Sequence, residues 1–194
     1  MINNKHITGI IIAGGKSSRM GSDKGFLLLN DSTFMSSIIE NMKPLVHDII
    51  IVSDTTTYDK FGYKRVQDII KDAGPLAGLY TGLYHSETEY NLVVSCDIPL
   101  IKTFVLQQLI EGFDVEFDVI QLQSQSRTMP LIALYKKQCL HTFFKLLQSN
   151  ERRLRFAVEQ LNTKTIKLDS NLDKYVQNIN TPEQLNEIID AVEH

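Results

Sequence analysis

Tryptophan is absent from the 194 residues and cysteine occurs only twice, at Cys96 and Cys139. The two cysteines lack CxxC spacing, so neither a disulfide framework nor a zinc site is expected, and a reducing compartment fits best. Five histidines show no HExxH spacing and no GxSxG elbow occurs, which argues against a zinc or serine hydrolase. No apolar run approaches about 18 residues, and the opening MINNKHITG lacks the basic and apolar segments of a signal peptide. A cytoplasmic protein with no membrane association is expected. Positive charge is not in excess either: 20 Lys and Arg stand against 23 Asp and Glu, a net charge of −3. A nucleic-acid partner is therefore not expected, and any phosphate site must be local. With no repeat and no Pro/Gly/Ser linker, the apolar content supports one domain over residues 1–194.

What the chain does have is a series of short β-branched runs: ITGIIIA at 7–13, HDIIIVS at 47–53, EYNLVVSC at 89–96, FDVIQLQ at 117–123 and PLIALYK at 130–136. Their lack of polar alternation predicts strands covered on both faces. Segments with helical spacing lie between them. In STFMSSIIENMKPLV, Phe34, Ile38, Ile39 and Met42 share a face behind a Ser32 or Thr33 cap; PLAGLYTGLYHS, KTFVLQQLIEGF, KKQCLHTFFKLLQ and the closing TPEQLNEIIDAVEH follow. Alternation of this kind predicts a three-layer α/β sandwich around a mostly parallel sheet. SQSRTMP at 124–130 joins two strands and allows one antiparallel pair; SNLDKY at 170–175 reads as a surface loop.

After the first strand comes AGGKSSRMGSDK, residues 13–24. Gly14, Gly15 and Gly21 permit close backbone approach, so successive N–H groups can face an anion at the carboxyl end of a strand, beside Ile12 and Ala13. The spacing is neither GxxxxGK[ST] nor GxGxxG. Lys16, Arg19 and Lys24 can gather around a triphosphate, Arg19 through a planar fork and Lys24 as a mobile point charge. A glycine turn with solvated lysines is the plain alternative. Asp97 follows NLVVSC at a strand end, where its carboxylate either holds Mg²⁺ together with substrate phosphates or serves a turn ahead of Pro99. Asp68 precedes the GPLAG turn, with Asp72 close enough to compete for its role. Gly74 and Gly78 narrow a helix entrance that opens at Pro75. Arg152, Arg153 and Arg155 form a basic cluster that suits either an acidic substrate or a solvated helix face. Asn178 and Asn180 flank Ile179 ahead of the last helix, where Asn180 also suits a strand end. Tyr58, Tyr63, Tyr80 and Tyr84 read as core or rim.

AGGxSxRMGxDK, followed in order by QDIIKDAGPLAGL at 67–79, SCDIPL at 95–100, NERRLR at 150–155 and NINTPEQL at 178–185, resembles the signature of the GT-A-like nucleotidyltransferases. Within them it is most similar to the molybdenum cofactor guanylyltransferase family. The resemblance implies a Rossmann-like fold with a nucleotide-binding half at about 1–100 and a pterin-substrate half at about 101–194. It implies transfer of GMP from GTP to the terminal phosphate of molybdenum-molybdopterin, releasing pyrophosphate, with Mg²⁺ on Asp97. The nucleotide site would comprise Ile12, Ala13, Gly14, Gly15, Gly21, Lys24, Asp68, Gly78 and Asp97. Arg19, Lys24 and Asp97 would carry catalysis; Arg152, Arg153, Asn178 and Asn180 would meet the acceptor. The PLAG segment favours guanine over cytosine by analogy. A phosphate monoester is already anionic near neutrality, so no general base is required. A CTP-dependent or sugar-phosphate nucleotidyltransferase, or a non-catalytic nucleotide-binding module, stays open. So do transient contacts with cofactor-delivery proteins and a monomeric or small homo-oligomeric state.

Overall fold

A computed structural model describes residues 2–14, 23–29 and 31–193. In chain order its elements are β1 (Ile7–Ile12), β2 (Leu28–Leu29), β3 (Ser32–Thr33), α1 (Phe34–Met42), β4 (Asp48–Val52), β5 (Lys64–Val66), α2 (Gly74–His85), β6 (Tyr90–Ser95), α3 (Thr103–Glu111), β7 (Val119–Ser124), β8 (Arg127–Lys136), α4 (Cys139–Gln148), α5 (Leu154–Glu159), β9 (Thr163–Lys167) and α6 (Pro182–Glu193). Seven strands form one sheet in the order β5-β4-β1-β6-β8-β7-β9, and β2 and β3 form a small antiparallel pair. Only β8 runs against its sheet neighbours, pairing antiparallel with both β6 and β7. The sandwich with a mostly parallel, mixed sheet is thus present as the strand pattern predicts.

Alternate residues along each strand enter opposite layers, which is why the runs are apolar throughout. Ile11, Ile49, Ile51, Leu92 and Val94 pack with Ile38 and Met42 of α1 and with Val105, Leu106 and Leu109 of α3. Ile10, Ile50, Val52, Val93 and Tyr135 pack on the other side, with Leu76 and Leu83 of α2, Phe143 of α4 and Val158 of α5. Gly78 and Gly82, one helical turn apart, let α2 lie close to β1: a Cβ on Gly82 would sit 2.5 Å from Ile10 Cγ2, and one on Gly78 3.2 Å from Ile12 Cγ2. Thr33 caps α1, its side chain accepting from the Ser36 N–H at 3.2 Å.

Two segments differ from their sequence reading. The 124–130 connection shrinks to a turn at Gln125 and Ser126, both at positive φ (47° and 66°), as a tight two-residue hairpin requires; Arg127 through Pro130 belong to β8. Residues 170–176 are a 3₁₀ helix, and Leu172, Tyr175 and Val176 pack on the core instead of forming a surface loop. Burying these three side chains outweighs the polarity of their neighbours. β5, β9, β2 and β3 are too short or too exposed to show a strand period. Among the described residues no helix is long and apolar enough to cross a membrane.

Candidate active site

The carboxyl ends of β1, β4, β5 and β6 lie side by side, at the place where the winding reverses direction about β1. Open α/β sheets bind ligands in the crevice at such a reversal. Ala13 donates to Val52 O and Cys96 donates to Ile12 O, so the ladder holds the exits of β1, β4 and β6 level. Gly14 leaves β1 at this point. Among the described residues an added Cβ there would meet only Asp68 Oδ2, at 3.9 Å, and one on Gly78 would lie 3.7 Å from Asp68 Oδ1. Asp68 therefore stands between the two glycines, with Oδ1 buried and unpartnered among the described residues. Burial raises its pKa, the Asp54 carboxylate adds to this, and the Lys71 ammonium opposes it. The backbone carbonyl of Asp72 accepts from Arg152 Nη1 at 2.7 Å.

Asp97 occupies a turn, but the turn is closed by the backbone, Ile98 N–H to Ser95 O at 3.3 Å, and not by the carboxylate. Its Oδ2 accepts from Asn178 Nδ2 at 3.1 Å and faces Lys24 Nζ at 3.9 Å, with each side chain 16% exposed. Its Oδ1 is buried without a partner among the described residues. Lys24 Nζ also donates to Asn180 Oδ1. The two asparagines reach the same pair because the chain alternates through them: Ile179 turns inward, fully buried beside Leu29 and Phe34, and its N–H donates to Asp97 O at 2.8 Å. Asn180 does not end a strand. Its N–H donates to Gln184 Oε1, and Gln184 N–H returns to Thr181 Oγ1, a reciprocal cap that fixes the entry to α6.

Lys24 is held from behind. Asp23 caps its 3₁₀ turn by accepting from Gly25 N–H, and the buried Tyr58 hydroxyl donates to the same Asp23 oxygen. Gly25 packs so tightly on the tyrosine that a Cβ would fall 2.3 Å from its hydroxyl oxygen. Tyr58 is thus core, as its sequence reading had it, yet it also braces the turn that carries Lys24. The only sequence signal was an Asp two residues before a glycine. Cys96 is buried and its thiol is pushed up to about 12 by burial, so it is no nucleophile near neutrality.

Beside Asn178 and Asn180 opens a groove of about 1080 Å³, bounded by Arg127 and Met129 of β8, by Arg153 and Arg155, and by the two asparagines. Arg153 lines it while holding Glu151 in a forked pair, whose hydrogen bonds bring that carboxyl down to about 2. Arg152 does not line it. Arg127 was not singled out in the sequence, because SQSRTMP read as a connection. Gly15, Arg19 and Gly21, together with Lys16, lie outside the described residues.

Among the described residues no cluster of three or more His, Cys, Asp or Glu side chains is arranged to hold a metal. The orphaned oxygens of Asp97 and Asp68 nonetheless fit a cation that takes one or two carboxylates and completes its shell with substrate phosphates and water.

The chain matches the family model described as MobA-like NTP transferase domain over residues 9–165. It is 36% identical to a probable molybdenum cofactor guanylyltransferase of Flavobacterium johnsoniae, covering 94% of this chain and 96% of that one. With the molybdenum cofactor guanylyltransferase of Vibrio parahaemolyticus identity is 30%, over 95% and 96% of the two chains. In fold it is similar to molybdopterin-guanine dinucleotide biosynthesis protein A of Archaeoglobus fulgidus, with a TM-score of 0.80, 21% identity and coverage of 96% and 98%. A glycine exit from β1, a lysine and a carboxylate joined by the Asn178–Asn180 segment, and these matches along nearly the whole chain place the protein in the molybdenum cofactor guanylyltransferase family of MobA-like nucleotidyltransferases.

Proposed function

We propose that the protein transfers GMP from GTP to the terminal phosphate of molybdenum-molybdopterin in the cytoplasm, with Mg²⁺, and that the crevice at Gly14, Asp68 and Gly78 takes the nucleotide while the groove takes the acceptor. The observation that carries this is the Asn178–Asn180 segment, which touches Asp97 and Lys24 and also lines the groove. An acceptor phosphate in the groove would then meet a donor phosphate at Lys24.

In that reaction an acceptor phosphate oxygen forms a bond to the α-phosphorus of GTP. The bond from that phosphorus to the bridging oxygen of the pyrophosphate breaks, and the electron pair leaves with pyrophosphate. Asp97 and Asp68 would hold the cation, which supplies charge neutralisation at the phosphate oxygens. The protein's own part is positioning and electrostatics. Gly14 and Gly78 let phosphate and base come close to the backbone. Lys24, oriented by Asn180 and by the Asp23 turn, neutralises charge on the departing group, with Arg19 in the same role. Asn178 keeps one Asp97 oxygen occupied, which leaves the other for the cation. Arg153 and Arg155 give the acceptor a cationic wall.

Calorimetry of the four nucleoside triphosphates with Mg²⁺ tests the donor. GTP is expected to bind at least tenfold tighter than CTP, ATP or UTP, and a preference for CTP would replace the guanylyl reading with a cytidylyl one.

A further inference from the structure

Gln121 of β7 is a polar residue inside an apolar layer, and the mechanism above leaves it unused. It lies on the same face as Val119, which packs with α4 and α5, but where that cluster would accept a leucine it carries an amide, 6% exposed. Its Nε2 donates to Thr165 Oγ1 at 3.3 Å, whereas Oε1 is buried with no partner. An open buried acceptor costs stability, so a native amide left in this state points to a ligand that completes it.

Gln121 borders a cavity of about 130 Å³, the share of about four waters in liquid. Thr128, Arg155 and Glu159 line both this cavity and the large groove, so the cavity is a side chamber of the groove. Pro130 and Val158 make its apolar walls, and Thr163 adds a hydroxyl. Apolar walls with a polar floor suit the face and edge of a flat heterocycle better than a sugar, which carries hydroxyls around its whole ring, or a second phosphate, whose ionised oxygens cannot donate to Oε1.

We propose that this chamber recognises the hydrogen-bonding edge of the acceptor's pterin ring, with Gln121 Oε1 accepting from a ring or amino N–H. The proposal rests on the acceptor reading of the groove. A pterin carries an amino group, a ring N–H and a carbonyl side by side. The amide, the threonine hydroxyls, the donor-only Arg155 and the acceptor-only Glu159 can match all three. The chamber orients the acceptor, so that its phosphate end lies toward Asn178 and Asn180.

The test is binding of 6-hydroxymethylpterin monophosphate to the full chain, read by quenching of pterin fluorescence, with Mg²⁺-GTP binding followed by calorimetry in parallel. Gln121→Leu is expected to weaken the pterin phosphate about tenfold, the loss for one unmade buried hydrogen bond, and to leave GTP affinity within twofold. Gln121→Asn, which withdraws the oxygen by one carbon while keeping the amide, is expected to lose part of that affinity, and is the variant to read should the leucine variant give no cooperative melt. Pterin affinity within twofold of wild type in the variant that folds overturns the role of Gln121 alone. Failure of the wild-type protein to bind the pterin phosphate, with GTP still bound, overturns the acceptor reading on which it rests.

Discussion

The crevice at Gly14 and the groove at Arg155 share two asparagines, yet they are built from different materials. At Gly14 and Gly78 the chain carries no side chain of its own, and among the described residues the nearest atoms to a hypothetical Cβ belong to Asp68, Ile12 and Val52. Around the groove the lining is long side chains from β7, β8, α5, the 170–176 helix and α6. A triphosphate asks for close approach and dense charge, which glycines at strand ends supply. A larger acceptor asks for shape and scattered donors, which only side chains from several elements supply. The two substrates are thus separable by mutation, and kinetics should show it.

The largest expected effect comes from Asp97→Ala. It removes a carboxylate whose open oxygen is suited to the cation, and it leaves Lys24 and Asn178 without their common partner. Turnover measured as pyrophosphate release is expected to fall on the order of 10³-fold, about 4 kcal/mol of barrier. Arg155→Ala, on the groove side, is expected to raise KM for the acceptor about tenfold while leaving kcat and the KM for GTP within twofold. A matching rise in the GTP constant would erase the division into two sites.

A second contrast lies within the donor side. Gly25 and Gly14 are eleven residues apart, but only Gly25 is packed against something that cannot yield. Tyr58 is fully buried among Phe26 and Phe61, so Gly25→Ala is expected to cost about 1–3 kcal/mol through overpacking. In a chain of this size that lowers the melting temperature by roughly 2–4 °C per kcal/mol. It also displaces Lys24, so kcat falls with stability. Gly14→Ala is expected to melt within about 1 °C of wild type, since among the described residues its Cβ would meet nothing closer than Asp68 Oδ2 at 3.9 Å, and yet to weaken GTP binding by narrowing the phosphate approach. Thermal melts and calorimetry on the two variants distinguish a glycine kept for packing from one kept for ligand. Equal losses of stability would show that the distinction is wrong.

This contrast also explains what could be read in advance. Gly14 and Asp97 were legible because each sits within two residues of a strand end that the β-branched runs had located, and Lys24 because it closes the glycine-rich segment that follows the first of them. The layers followed from the same runs. The Asp23–Tyr58 support was not legible, since it joins residues 35 apart and nothing in a lone tyrosine marks it as a donor to a particular carboxylate. Asn178 and Asn180 came from resemblance; the physical reason, alternation about a buried Ile179, needs the tertiary partner of that isoleucine. The groove was least visible. Its wall includes Arg127, assigned to a connection, and Asp173, assigned to a loop, because short exposed strands and 3₁₀ turns carry no period to detect.

Asp68 gives the smallest effect and the sharpest test of how the donor side is built. Its carboxyl sits between two glycines with one oxygen unpartnered, and burial together with the Asp54 carboxylate raises its pKa. The charged form is therefore less favourable in the folded protein than in the unfolded chain. Its favourable contribution is complete below the ordinary carboxylate range near 3.9 and is lost as pH rises through the raised value. At neutral pH ionised Asp68 is a cost to the fold. Asp68→Asn keeps the shape without the charge, and without nucleotide it is expected to melt a few degrees higher than wild type at pH 7–8, an advantage that shrinks as the pH approaches 4. The same variant is expected to bind Mg²⁺-GTP several-fold more weakly. A melting advantage equal at pH 4.5 and pH 8, or none at either, would mean that the carboxylate is not held at a cost for the sake of the ligand, and the donor crevice would then be no more strained than the acceptor groove.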